Sequence, residues 1–149
     1  MRASYILFIA TVCALVGVPV IAQDKLEVVK LADIKWSPCD PKASHPDPCQ
    51  VYYFRGNPEK EANYSYFRVP QGHTFSPHWH TGNGHLVVTK GVFVVGGETD
   101  SKGVALRPGD YAYEPAKWIH WGKCTEADCI AFYYVDGPDS FIDVKDQRP

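Results

Sequence analysis

The sequence has no cluster of lysines or arginines, no internal repeat and no Cys-x-x-Cys pair. Each absence narrows what the chain can be. A nucleic-acid partner needs a basic patch, and there is none. Twelve prolines and twelve glycines in 149 residues interrupt much of the chain at short intervals and argue against a helical fold. Without Cys-x-x-Cys, the cysteines lack the usual spacing of a thiolate zinc site. An apolar run long enough to span a bilayer is also missing. The one candidate, Ile6–Val18, reaches at best Ile21 and contains Pro19, short of the roughly 20 residues a span requires.

That run reads instead as part of a secretory signal. Arg2 supplies the positive start, and Val20-Ile21-Ala22 places small residues at the −3 and −1 positions for cleavage after Ala22. Cys13 follows Val12, where a lipid-attachment signal would carry a small residue, so lipidation is not expected. The expectation is a signal peptide over 1–22 and a single domain over 23–149, secreted or periplasmic, with no membrane association after cleavage. Cleavage removes only Arg2 of the 15 basic residues and none of the 17 acidic ones, leaving a formal charge of about −3. Four cysteines remain: Cys39, Cys49, Cys124 and Cys129. An even number in an exported chain points to two disulfides, with three connectivities allowed. Local pairing is favoured, because Cys39 and Cys49 bracket a proline-rich loop and Cys124 and Cys129 bracket Thr-Glu-Ala-Asp, a plausible hairpin connection.

What is abundant is strand chemistry. Leu26–Ile34, Val51–Phe54, Tyr64–Val69, Leu86–Val88, Val92–Val95, Tyr111–Tyr113 and Ile130–Val135 are short and rich in β-branched and aromatic residues. Turn signals separate them, among them Gly56-Asn-Pro58, Gly82-Asn-Gly84 and Pro108-Gly-Asp110. The pattern predicts an all-β fold, a single antiparallel barrel, with most aromatic rings packed on pleated surfaces. Asn63-Tyr-Ser65 is a glycosylation sequon, relevant only in a eukaryotic host.

Six histidines occur, and three stand in a pattern. His78 and His80 are one residue apart, and alternate residues of an extended segment face the same side. Their imidazoles can therefore converge on one point. His120 follows 40 residues later, after another strand and turn. Imidazole is a good ligand for zinc, copper, iron and nickel. His45 and His73 stand outside this pattern and read as surface or loop residues. Trp79, Trp118 and Trp121 flank the histidines and are candidate pocket walls, or barrel packing.

This spacing resembles the cupin family. Its first motif, Gly-x5-His-x-His-x3-Glu-x6-Gly, fits Gly72, His78, His80 and Gly91, and its second, Gly-x5-Pro-x-Gly-x2-His, fits Gly109, Pro115 and His120. The resemblance implies a conical barrel of jelly-roll type holding one divalent metal ion, with His78, His80 and His120 at the three histidine positions. The glutamate position is occupied by Gly84. Two ligand sets are therefore open: the three histidines alone, or His85 as a fourth ligand in a loosened segment. Strand alternation opposes the second, since an inward residue 84 turns 85 outward. Lys117 replaces a glycine of the second motif, and Cys124 stands where asparagine is common. Glu114 has two readings, a cavity-facing acid or base and, favoured, a solvent-facing strand residue.

Fold alone does not name a reaction. Three neutral imidazoles leave a divalent ion its full charge and an open coordination position. By resemblance, a triad without the carboxylate implies a three-histidine dioxygenase acting on a small chelating substrate such as a thiol, diketone or aromatic compound. The alternative is a non-catalytic extracytoplasmic protein that binds a chelating or carbohydrate-like small molecule. Iron, copper, manganese, zinc and nickel all remain candidates for the metal, and a homodimer is left open.

Overall fold

A computed structural model describes residues 25–39, 48–147 and 149. The proposed signal segment, most of the loop between Cys39 and Cys49, and His45 with it, lie outside the described residues. The described residues contain no α-helix, only a 3-10 turn at Leu31–Asp33 and nine strands. These are β1 (Ser37–Pro38), β2 (Gln50–Arg55), β3 (Asn63–Val69), β4 (Thr74–His80), β5 (Gly84–Gly97), β6 (Val104–Leu106), β7 (Tyr111–Glu114), β8 (His120–Val135) and β9 (Phe141–Asp143).

β8 organises the fold. Along one edge it pairs with β5 over nearly its whole length. Along the other, its first residues pair with β4 and its last seven with β3. β5 in turn pairs with β7 near its start and β6 near its end. β2 and β1 extend the sheet beyond β3, and β9 extends it beyond β4. All pairings are antiparallel. The sheet curls into a jelly-roll half-barrel.

The curl has a local cause. In β8 the buried residues are His120, Gly122 and Cys124, then Cys129, Ala131 and Val135, so the inward set changes from even to odd numbers. In β5 it changes from Gly84, Leu86 and Val88 to Phe93 and Val95. Both strands lose phase at the same place, where the register shifts between Val88 and Phe93. A bulge of this kind bends a strand pair and turns it from one sheet layer into the other. Two residues with positive φ permit it, Gly91 (77°) and Ala127 (52°). At Gly91 a Cβ would meet the carbonyl oxygens of Glu126 and Asp128 at 2.9 Å, so only glycine allows the two backbones to approach this closely.

The disulfides pair locally, Cys39 with Cys49 and Cys124 with Cys129. Cys124 and Cys129 are not the ends of a hairpin. They lie on one strand, on either side of the corner, and join its last even inward residue to its first odd one. The core surrounds them: Val69, Leu86, Val88, Phe93 and Ala131 pack there, all nearly inaccessible. Leu26–Ile34 is not a strand; most of it is irregular, with Leu26 and Val28 exposed. Asn63 is 1 % exposed, so its sequon is closed to a glycosyltransferase in the folded protein.

Candidate metal centre

β4 carries His78 and His80 on one side, as alternation requires, with Trp79 pointing the other way. His120 opens β8 and pairs directly with His78 across the two strands. The three imidazoles meet between the sheet layers, with all three ligand atoms within 4.8 Å of one another. His78 and His120 are each 4 % exposed. His80 is the most accessible of the three and marks the open side.

Each ring is oriented through Nδ1. That of His78 lies 2.7 Å from the carbonyl oxygen of Ser76, and that of His120 2.9 Å from the carbonyl oxygen of Trp118. That of His80 lies 3.0 Å from Asp139 Oδ2. A carbonyl oxygen or a carboxylate accepts, so Nδ1 donates in all three cases. Nε2 is then the free lone pair on each ring, and outer partners of this kind fix the tautomer that a metal ligand needs. Burial, together with the charges His120 and His80 would bring, lowers the pKa of His78 to about 3. Burial also lowers that of His120, against the opposing pull of Glu114. Neutral, pre-oriented imidazoles packed this closely are a donor set that fits a divalent cation.

Aromatic rings frame the triad. Phe141 of β9 stacks on His78 (4.0 Å between centroids, 19° between planes), and Trp118 stacks on His120 (4.9 Å, 12°). Of the three candidate tryptophans, only Trp118 lines the site. The indole N–H of Trp79 donates to the carbonyl of Gln147, and that of Trp121 to the carbonyl of Asp100.

Glu114 is not at the surface. It is 6 % exposed, with Oε2 3.9 Å from His120 Nε2, and it accepts a 2.9 Å hydrogen bond from the Tyr133 hydroxyl. Burial pushes the Tyr133 phenol well above its ordinary pKa, so it stays a donor. Glu114 pairs with Gly84 across β7 and β5. A Cβ on Gly84 would lie 2.1 Å from the Tyr133 hydroxyl oxygen. The space a side chain at 84 would use is therefore filled by Tyr133, and the carboxylate beside the triad comes from the neighbouring strand. Gly84→Ala is expected to destabilise the protein by about 1–3 kcal/mol through overpacking, measured by urea denaturation. Wild-type stability in that variant would show that Tyr133 does not occupy the space.

His85 faces the other way, as alternation dictates. Its Nδ1 is 2.8 Å from the Tyr111 hydroxyl, and its ring meets Tyr113 and Tyr134. The triad and His85 lie on opposite faces of the sheet. His73 sits in the turn before β4, edge-on to Phe75. The residue that sequence reasoning missed is Asp139. It lies 59 positions from His80 in a turn after β8, and no local spacing signals it.

Residues 24–136 match the model of the ChrR cupin-like domain. The chain belongs to this cupin family. A curated relative, the acetylacetone-cleaving enzyme of Acinetobacter johnsonii, is 29 % identical over 118 residues, covering 78 % of this cupin and 76 % of the relative. The crystal structure of an acetylacetone dioxygenase from the same organism aligns with a TM-score of 0.64 at 25 % identity, over 84 % of this chain and 83 % of that one. An RmlC-like cupin from Ralstonia eutropha JMP134 gives a TM-score of 0.64 at 23 % identity, over 84 % and 77 % of the two chains. The DMSP lyase DddQ of Ruegeria pomeroyi DSS-3 gives 0.65 at 15 %, over 79 % and 64 %. The last two likenesses concern the fold alone.

Proposed function

We propose that this cupin is an exported, metal-dependent dioxygenase that cleaves a carbon–carbon bond in a small chelating substrate of the 1,3-dicarbonyl class. The observation that carries the reading is the triad itself: three pre-oriented imidazoles with glycine at the carboxylate position of the family motif. The acetylacetone-cleaving relative supports the substrate class, and the two disulfides support a location outside the cytoplasm. His78, His80 and His120 would hold the ion through Nε2. The ion would supply positive charge to a chelating dicarbonyl and, if redox-active, electrons to oxygen. Both atoms of one oxygen molecule, inserted across the broken bond, balance the reaction without another reductant.

The chain's own groups do the rest. Asp139 and the carbonyls of Ser76 and Trp118 hold the rings in place. Trp118 and Phe141 supply flat apolar walls. Glu114, held by Tyr133, places a carboxylate acceptor beside the ligand cluster, within reach of a proton that a bound dicarbonyl would give up.

The test is anaerobic loading with iron, copper or manganese in turn, followed by acetylacetone and other β-diketones while oxygen uptake is recorded. Uptake is expected with one metal and absent in His120→Ala. Glu114→Gln is expected to keep its metal and lose about a hundredfold in turnover, the scale of a lost proton acceptor. If no metal form consumes oxygen and the loaded protein returns its ligand unchanged, a binding protein replaces this reading.

A further inference from the structure

The two layers of the half-barrel end on the same side in strands that do not pair. From β8 the sheet runs through β3 to β2 and β1 in one direction and through β4 to β9 in the other. Among the described residues no backbone pairing joins β2 to β9. The seam this leaves lies beside the triad, because β9 is the neighbour of the strand that carries His78 and His80. Each flank of the seam presents a large ring. Phe141 of β9, stacked on His78, is 50 % exposed, and Tyr53 of β2 is 43 % exposed.

Tyr53 is an inward residue. Register sets it opposite Ser65, and Ser65 opposite Tyr133. Alternate residues of a strand share a face, and Val51 and Ser65, on the same face as Tyr53, are both buried. Tyr53 stays open because the seam takes the place of the cover that a closed barrel would give. Asp139, the outer partner of His80, bridges the seam at one end. Its backbone N–H donates to the carbonyl of Pro58, in the connection between β2 and β3, at 2.7 Å. The charge of Asp139 acts on the phenols of both Tyr53 and Tyr133. Burial first, and then Asp139, raise the pKa of Tyr53, so its hydroxyl keeps its proton at neutral pH. The Tyr133 hydroxyl is committed to Glu114. That of Tyr53 makes no hydrogen bond to a described residue.

We propose that the seam between β2 and β9 is a substrate subsite, in which the Tyr53 hydroxyl donates to a neutral oxygen acceptor on the arm of the substrate beyond its metal-chelating carbonyls. The subsite rests on the dicarbonyl reading and narrows it, to diketones that carry an ester, ketone or ether oxygen on one arm. Three features select that class. Phe141 and Tyr53 offer flat apolar surface to a short chain. A donor without a protein partner, set among apolar groups, favours a ligand that supplies the acceptor. The negative charge of Asp139 opposes a carboxylate in the same place.

Zinc-loaded protein can bind a diketone without consuming oxygen, so the subsite is tested by binding alone. The protein is titrated calorimetrically with acetylacetone and with methyl acetopyruvate, a diketone that bears an ester on one arm. Wild type is expected to bind both. Tyr53→Phe keeps the ring and removes only the donor. It is expected to bind methyl acetopyruvate about five- to tenfold more weakly than wild type does, and acetylacetone within about twofold, the difference being one neutral hydrogen bond. Its metal content and circular dichroism should match wild type. Equal losses on the two probes, or no loss on the ester, overturn the subsite and leave the dicarbonyl reading standing. A wild type that binds acetylacetone but not the ester does the same. If neither probe binds wild type, the dicarbonyl reading falls and the subsite falls with it.

Discussion

His78→Ala, His80→Ala and His120→Ala should each leave purified protein with essentially no bound metal after dialysis, against one ion per chain in wild type. Each substitution removes one of three protein ligands, and two imidazoles cannot hold a divalent ion against water and buffer. The surrounding groups sharpen the expectation. Asp139→Asn keeps all three rings but weakens the bond that sets the tautomer of His80, and loss of such a partner costs about 10- to 100-fold in metal affinity. His85→Ala should leave metal content unchanged, because His85 lies on the opposite face of the sheet, against Tyr111. Elemental analysis and calorimetric titration of the five variants would read the series. Full occupancy in His78→Ala, or a loss in His85→Ala equal to that in His80→Ala, would refute the three-histidine site.

Acid should weaken the metal-free protein long before its surface carboxylates are protonated. His78 has its pKa lowered to about 3 in the folded chain from 6.5 when unperturbed, chiefly by burial. Between those values the unfolded chain binds a proton that the folded chain does not. Stability therefore rises with pH across this window, is fully present above about 6.5, and is lost progressively as pH falls toward 3. His120 changes in the same direction. The combined effect is on the order of a few kcal/mol, since each tenfold change in proton affinity corresponds to about 1.36 kcal/mol. Urea denaturation of metal-free wild type and His78→Phe at a series of pH values isolates the contribution. The wild-type curve should fall more steeply with acid than that of the variant. Parallel curves would mean that His78 is not buried as a neutral ring.

The triad was legible because two independent regularities met in it: alternation along β4, and the motif spacing that returns His120 to the same place. The barrel was legible in outline from short β-branched segments and their turns. The errors have physical causes. Leu26–Ile34 has strand composition, but a strand needs a partner edge, and β2 is paired on its near side only by Ser37–Pro38. β5 read as two strands, Leu86–Val88 and Val92–Val95, because a change of phase looks like a boundary. The same corner made Cys124 and Cys129 look like the ends of a hairpin. Glu114 was misjudged although its own strand held the answer: Tyr111 and Tyr113 face out, so 114 faces in with Ala112. Asp139 could not have been found, since its link to His80 exists only in three dimensions.

The bend in β8 gives that strand the form of tweezers. Side chains near its two tips, His120 and Tyr133, meet at Glu114, while the fulcrum lies at the far end, where Cys124–Cys129 spans the break in phase. The disulfide and the close backbone approach at Gly91 thus pin the corner from which both arms of one strand deliver their side chains to the same carboxylate.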